Sequence, residues 1–172
     1  MDKKILDLLE ELERFGKERH MFNIPKEAGE FLNLLVKIKK PKNILEVGTS
    51  NGYSTIWLGL DGDKIVTIEK NPEKLKLAKE NFKKAGLKNT KVIEGDALEI
   101  LHKLNEKFDF VFIDAIKKDY LNYFKLIKFN KGAIVVADNI LTHNLKEYCD
   151  FVREKYKSCL VKIGNGVEVT II

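Results

Sequence analysis

From Asn43 onward the chain repeats one pattern: a short apolar run, a stop at a glycine or an acid, then a stretch with helical spacing. That alternation is the signature of βαβ units, whose crossover helices bury both faces of a mostly parallel sheet. The runs at 43–48, 64–69, 90–94, 108–113 and 132–137 read as strands, and the segments at 52–59, 72–85, 97–104 and 118–127 as the helices between them. Asn71 before Pro72 opens a helix, because the asparagine side chain accepts an orphan N–H and proline is tolerated in the first turn. Gly86 closes that helix as a left-handed cap. One more helix follows, in which Leu145, Tyr148, Cys149, Val152 and Tyr156 share a face. The runs 158–163 and 167–172 are then joined by Gly164, Asn165 and Gly166, which is hairpin chemistry. The expected architecture is α/β, with a seven-stranded, mostly parallel sheet, helices on both faces and a C-terminal antiparallel hairpin.

Residues 1–40 read as an N-terminal helical segment. Ile5, Leu8, Leu9, Leu12 and Phe15 make an amphipathic helix that stops at Gly16. Pro25 sits where a second helix would begin, and that helix carries Phe31, Leu32, Leu35, Val36 and Ile38 and ends before Pro41. With 172 residues the chain suffices for one domain with a core and is short for two, so residues 1–172 read as a single domain whose α/β core spans 41–172. No apolar run approaches the length that crosses a bilayer, so no membrane partner is expected. Cys149 and Cys159 have no metal-ligand spacing and fit a reducing cytoplasm. The net charge of +5 comes almost wholly from lysine, and glutamine is absent, a usage that resembles thermophile proteins. Acids are interspersed nearly everywhere, so the excess reads as a solvated surface.

The chemistry gathers at strand ends. In Ile44–Gly59, ILEVGTSNGYSTIWLG, an apolar run stops at Gly48 and a helix opens near Gly52, a strand–turn–helix corner where a nucleotide-like ligand can approach the main chain. Glu69 closes the second strand, about 20 positions on, where an acid grips a ribose diol in doubly wound folds. The spacing is not GxGxxG and no Walker lysine is present, which disfavours a pyrophosphate or a nucleoside triphosphate. Asp96 after the third strand can cap the next helix or accept from an adenine amino group. Two further runs end at Asp114 and at Asp138–Asn139. Two carboxylates and an amide on one rim are hard oxygen donors that suit Mg²⁺, with Ca²⁺ as an alternative. Lys117, one helical turn after Asp114, is positioned to act as a general base there. His143 is near enough in sequence to line this rim, though a surface place fits it better.

The ordered segments NIPKEAGEFLNLLV, ILEVGTSNGYSTIWL, TIEKNPEKLKLAKENF, VIEGDALEIL, FDFVFIDAIKKDYLNYF, VVADNIL and IGNGVEV resemble the metal-dependent O-methyltransferases of the catechol and caffeoyl-coenzyme A type, which use S-adenosylmethionine. The resemblance runs from about Asn23 to the end of the sequence and implies a Rossmann-like class I methyltransferase fold. It implies that Glu69 binds the ribose, that Glu46, Gly48 and Ser54 contact the methionine part, and that Asp96 and Ala97 lie beside the adenine. Asn23, Thr49 and Asp114 complete the expected cofactor site. Asp114, Asp138 and Asn139 are then the ligands of a divalent metal, Mg²⁺ with Ca²⁺ or Mn²⁺ as alternatives, and Lys117 and Asp114 the catalytic pair. One departure stands out: 158–163 contains no acid, whereas the catechol enzymes carry an extra carboxylate in about that region that grips the catechol. The expected acceptor is a small hydroxylated molecule and the expected assembly a homodimer. The same motifs are similar to those of bacterial relatives that methylate a hydroxyuridine at the tRNA wobble position, which keeps tRNA as an alternative partner. A nucleotide-dependent oxidoreductase or a non-catalytic protein on the same fold are the remaining alternatives.

Overall fold

Along each central strand, successive side chains point to opposite faces of the sheet, and both faces are apolar. On strand β1 (Asn43–Val47), Ile44 faces one way and Leu45 and Val47 the other. The structure, a computed structural model, describes residues 2–172. The other strands are β2 (Lys64–Glu69), β3 (Thr90–Glu94), β4 (Phe108–Ile113), β5 (Phe129–Ala137), β6 (Lys157–Val161) and β7 (Val167–Ile171). They form one seven-stranded sheet in the order β3-β2-β1-β4-β5-β7-β6. The first five pair in parallel, and β7 runs antiparallel between β5 and β6.

One face is covered by α1 (Lys3–Glu18), α2 (Lys26–Lys39), α3 (Tyr53–Gly59) and α4 (Pro72–Ala85). Leu8, Leu12, Leu32, Val36, Ile56, Trp57 and Phe82 from these helices pack on Ile44, Ile65, Phe110 and Phe112. The opposite face is covered by α5 (Ala97–Lys103), α6 (Tyr120–Leu126) and α7 (Lys146–Lys155). There Leu101, Tyr120, Phe124, Tyr148 and Val152 pack on Leu45, Val66, Val111 and Val135. Continuous burial on both sides explains why these strands read as unbroken apolar runs rather than alternating ones. No helix among the described residues is long and apolar enough to cross a membrane.

Local chemistry sets most helix ends as expected. The Asn71 side chain accepts from the N–H groups of Glu73 and Lys74 at 2.9 and 3.1 Å, and Gly86 ends α4 in the left-handed region. Three of the boundaries that differ have a plain cause. Helix α1 runs through Gly16 to Glu18, because that glycine serves packing: a Cβ there would lie 2.4 Å from the Asn23 amide nitrogen. Strand β5 begins at Phe129, since a register shift between Phe108 and Phe110 lets the early residues pair. The segment at 118–127 divides into a 3-10 turn at Lys117–Asp119 followed by the shorter α6.

Glu168 of β7 is fully buried beneath α7. Arg153 grips its carboxylate in a bidentate pair at 2.8 and 2.5 Å, and the Ser158 hydroxyl donates at 2.7 Å. Removing the guanidinium would leave a buried charge short of a partner. Arg153→Met is therefore expected to lower the unfolding free energy by about 3 kcal/mol in chemical denaturation, and adding Glu168→Met should recover much of the loss.

Candidate active site

The parallel ladder continues one residue beyond the strands and lines up the groups singled out in the sequence. Gly95 N–H donates to the Glu69 carbonyl, Gly48 to Ile68, Asp114 to Val47 and Asp138 to Ile113, all within 2.9–3.0 Å. The carboxyl edge thus carries, in spatial order, Gly95, Glu69, Gly48, Asp114 and Asp138. The order in which successive strands are laid down reverses between the parallel neighbours β1 and β4, the switch point where ligands bind in open α/β sheets. Here Gly48 has φ +102°, and a Cβ on it would lie 2.1 Å from the Asp114 carbonyl oxygen. Only glycine lets these two strand ends approach so closely.

A cavity of about 660 Å³ opens above this edge. Asn23, Gly48, Thr49, Ser54, Glu69, Asp96, Ala97, Asp114, Lys117 and Asn139, all singled out in the sequence, border it. At one end the Glu69 carboxylate accepts the N–H groups of Ser50 and Asn71, both at 2.9 Å, and so is held rigidly toward the cavity. Asp96 caps α5 by accepting from Leu98 N–H at 2.9 Å while still bordering the cavity, so the two roles weighed for it are geometrically compatible.

Glu46 is placed differently from expectation. Strand alternation turns it to the same face as Ile44, under α3, and it does not border the cavity. Its carboxylate, fully buried, accepts the hydroxyls of Ser54 at 2.6 Å, Thr55 at 2.5 Å and Thr67 at 2.6 Å. Thr49 in turn bonds Thr67 at 2.6 Å, so the network braces the glycine loop from behind. Ser54, which donates to Glu46, is the link between that carboxylate and the cavity.

At the other end, Lys117 Nζ lies 2.8 Å from Asp114 Oδ1. Asp138 is 1% exposed, behind the rim, and its Oδ1 has no partner; the buried Oδ1 of Asn139 has none either. Asn139 adopts φ +68°, a left-handed conformation that asparagine tolerates better than most residues. Burial first, and then the nearby Asp114 carboxylate, push the Asp138 carboxyl above the ordinary range. Two unsatisfied buried oxygens, one from a carboxylate and one from an amide, beside the second carboxylate, Asp114, are what an oxygen-preferring cation would satisfy, so the donor set fits such an ion. Among the described residues no three His, Cys, Asp or Glu side chains cluster as a metal cage. A cation here would rest on two acids and an amide oxygen.

Several cavity residues carried no signal in the sequence. Met21 and Phe22 border the mouth, with Phe22 83% exposed and left-handed at φ +56°, and the Ser50 hydroxyl donates to the Met21 carbonyl at 3.2 Å. This linker is thereby clamped to the glycine loop. His143, expected at the surface, is exposed and also lines the cavity wall beside Thr142. Asn165 reaches the same wall because Ile140 and Leu141 N–H groups bond the Gly166 and Asn165 carbonyls at 3.0 and 2.9 Å. The hairpin turn thus contributes an amide side chain to this wall.

Among known proteins, the profile of a family described as O-methyltransferase matches residues 2–167. A catechol O-methyltransferase of Niastella koreensis is 37% identical over an alignment covering 69% of this chain and 58% of that protein. The chain therefore spans under two thirds of that relative's length. Caffeoyl-CoA O-methyltransferase 1 of Eucalyptus globulus is 34% identical, with 87% of this chain and 75% of that one covered. The O-methyltransferase from Bacillus cereus, solved in complex with SAH, superposes with a TM-score of 0.85 at 27% identity, covering 96% of this chain and 90% of that one.

Burial outweighs the three hydroxyl donors and pushes the Glu46 carboxyl up from 4.5 to about 7. A folded value above the unfolded one means that the native state binds the extra proton in between. The stabilisation is complete below about pH 4.5 and is lost as pH rises through about 7. The stability of the wild type relative to Glu46→Gln should fall by about 2 kcal/mol between about pH 5 and pH 8 in paired denaturation curves.

Proposed function

Because the chain belongs to the O-methyltransferase family, we propose that it moves the methyl group of S-adenosylmethionine to a hydroxyl oxygen of a small acceptor, with a divalent cation at Asp114, Asp138 and Asn139. The observation that carries this reading is the pair of unpartnered buried oxygens, Asp138 Oδ1 and Asn139 Oδ1, in the same edge array as the rigidly held Glu69.

Glu69 takes the ribose hydroxyls on the carboxylate lone pairs that Ser50 and Asn71 leave free. Asp96 and Ala97 flank the adenine. Asn23, Gly48, Thr49 and Ser54 surround the methionine part, and Glu46 acts on it only through its field from beneath the loop. A cofactor without phosphates needs no pyrophosphate cradle, which accounts for a glycine turn that lacks GxGxxG spacing. A divalent cation, Mg²⁺ or alternatively Mn²⁺ or Ca²⁺, would supply a Lewis acid that polarises the acceptor hydroxyl. Lys117, once its ammonium has lost a proton to solvent, is the amine that takes the hydroxyl proton. The oxygen then forms its bond to the methyl carbon as the carbon–sulfur bond breaks, giving the methyl ether and S-adenosylhomocysteine. Holding oxygen and carbon in line at about 3 Å supplies most of the acceleration.

Asp138→Ala should lower turnover on the order of 100-fold or more while S-adenosylhomocysteine binds with unchanged affinity in calorimetry. Full activity of the wild type after exhaustive chelation would refute the cation assignment. Glu69→Ala should instead weaken S-adenosylhomocysteine binding about 10-fold or more through loss of charge-assisted hydrogen bonds, with Mn²⁺ binding unchanged. A labelled-methyl screen across catechols, hydroxylated acyl thioesters and unmodified tRNA identifies the acceptor class.

A further inference from the structure

The lysine excess is concentrated in one segment. Residues 70–91, which comprise α4, the turns around it and the start of β3, carry eight lysines and two acids, a net charge of +6, against +5 for the whole chain. The remainder therefore sums to −1, and the sign-mixed, solvated surface expected from the sequence describes that remainder only. Elsewhere lysines are answered by acids, as in the pairs Lys17–Glu13, Lys37–Asp61, Lys64–Glu106 and Lys146–Asp150. Of the eight in this segment, Lys84 alone makes an ion pair among the described residues, with Glu11 of α1 at 3.5 Å. The two acids, Glu73 and Glu80, pair with none of them.

These side chains form a continuous surface. Lys76, Lys79 and Lys83, three and four positions apart, share an exposed face of α4. Lys79, Lys83 and Lys88, with Thr90, line a groove of about 470 Å³ beside the edge strand β3, floored by Phe82, Leu87 and Val92. At the other end Lys70 and Lys74 border the cavity beside Glu69. Like charges at this spacing repel, so the row is destabilising until an anion of matching shape screens it. Over the roughly 20 Å of a helix this long, the complement is a polymer with a charge on every unit. A bilayer is the poorer match: the exposed large hydrophobic residues are Phe22, Leu34, Ile38, Leu141 and Ile171, none of them in this segment, so nothing here would enter the acyl boundary. We propose that the lysine face of α4 is a docking surface for the phosphate backbone of a nucleic acid, with one phosphate in the groove and Lys70 and Lys74 leading the strand to the cavity mouth. The proposal is independent of the cation assignment made above.

The test combines Lys76→Gln, Lys79→Gln, Lys83→Gln and Lys88→Gln, since glutamine removes the charge and keeps the helix propensity. Its control combines Lys42→Gln, Lys107→Gln, Lys128→Gln and Lys131→Gln, exposed lysines at the amino edge of the sheet, for an equal change in net charge. Fluorescence anisotropy reads binding to labelled single strands of RNA and of DNA, about 20 nucleotides long, between about 50 and 200 mM KCl. The wild type and the control should bind with affinity that falls steeply with salt. The α4 variant should bind at least about 10-fold more weakly, with the slope of log K against log salt shallower by about 3. Lys79→Gln with Lys83→Gln, a milder change, should give about half that difference in slope. Calorimetry should find S-adenosylhomocysteine bound alike by all of these proteins. Absence of wild-type binding to both strands at the lower salt, an equal loss in the control, or tighter binding to phosphatidylserine vesicles than to either strand overturns the proposal. The methyl-transfer reading survives each of those results, because turnover and chelation decide it.

Discussion

The whole edge depends on one close approach, that of the Gly48 backbone to the Asp114 carbonyl. Neighbouring parallel strands in a sheet hold a fixed spacing, but their ends usually splay as each chain turns toward its own helix. Here the missing Cβ lets β1 and β4 stay in register past their last residues, Val47 and Ile113. Every element of the cavity inherits its position from that contact. Glu69 is one strand away on one side and Asp138 one strand away on the other. The two ends of the cavity are therefore held at a distance set by backbone hydrogen bonds rather than by flexible side chains.

The groups along this edge are costly to maintain in the folded chain. Glu46 is a fully buried carboxyl held by three hydroxyls, and Asp138 and Asn139 carry oxygens with nothing to accept from. The ordinary tendency of folding is to satisfy such groups or to keep them in water. Two solutions coexist a few residues apart. Glu46 has its donors supplied by the protein and is a brace. Asp138 and Asn139 do not, and that deficit is what the proposed cation would fill. Glu168, matched by Arg153 and Ser158, is a third example and resembles the brace.

Much of this was legible in the sequence because strand ends are punctuated chemically. Apolar runs that stop at Gly48, Glu69, Asp114 and Asp138 announced both the strands and the residues they deliver, and Asn71 and Gly86 announced α4. What escaped the sequence depends on distance along the chain. The period of two puts Ile44 and Glu46 on one face, but nothing local says that α3 covers that face, so the burial of Glu46 could not be read. Gly16 looked like a helix stop because its true partner, Asn23, comes from a linker without regular structure. Asn165 lay in a turn with the right hairpin composition and no hint that hydrogen bonds to Ile140 and Leu141 would draw it to the cavity.

That last connection divides the molecule in a useful way. The loop after β5 and the turn before β7 are joined to each other, by two backbone hydrogen bonds and by Gly166 packed on Leu141, and among the described residues no hydrogen bond ties either of them to Glu69, Ser50 or Asn71. Side chains at 141–143 and 165 can therefore vary without disturbing the glycine loop or its brace. A lineage, or a protein engineer, could remodel this one wall by exchanging a few turn residues. The cofactor end would stay intact while the molecules admitted opposite it change.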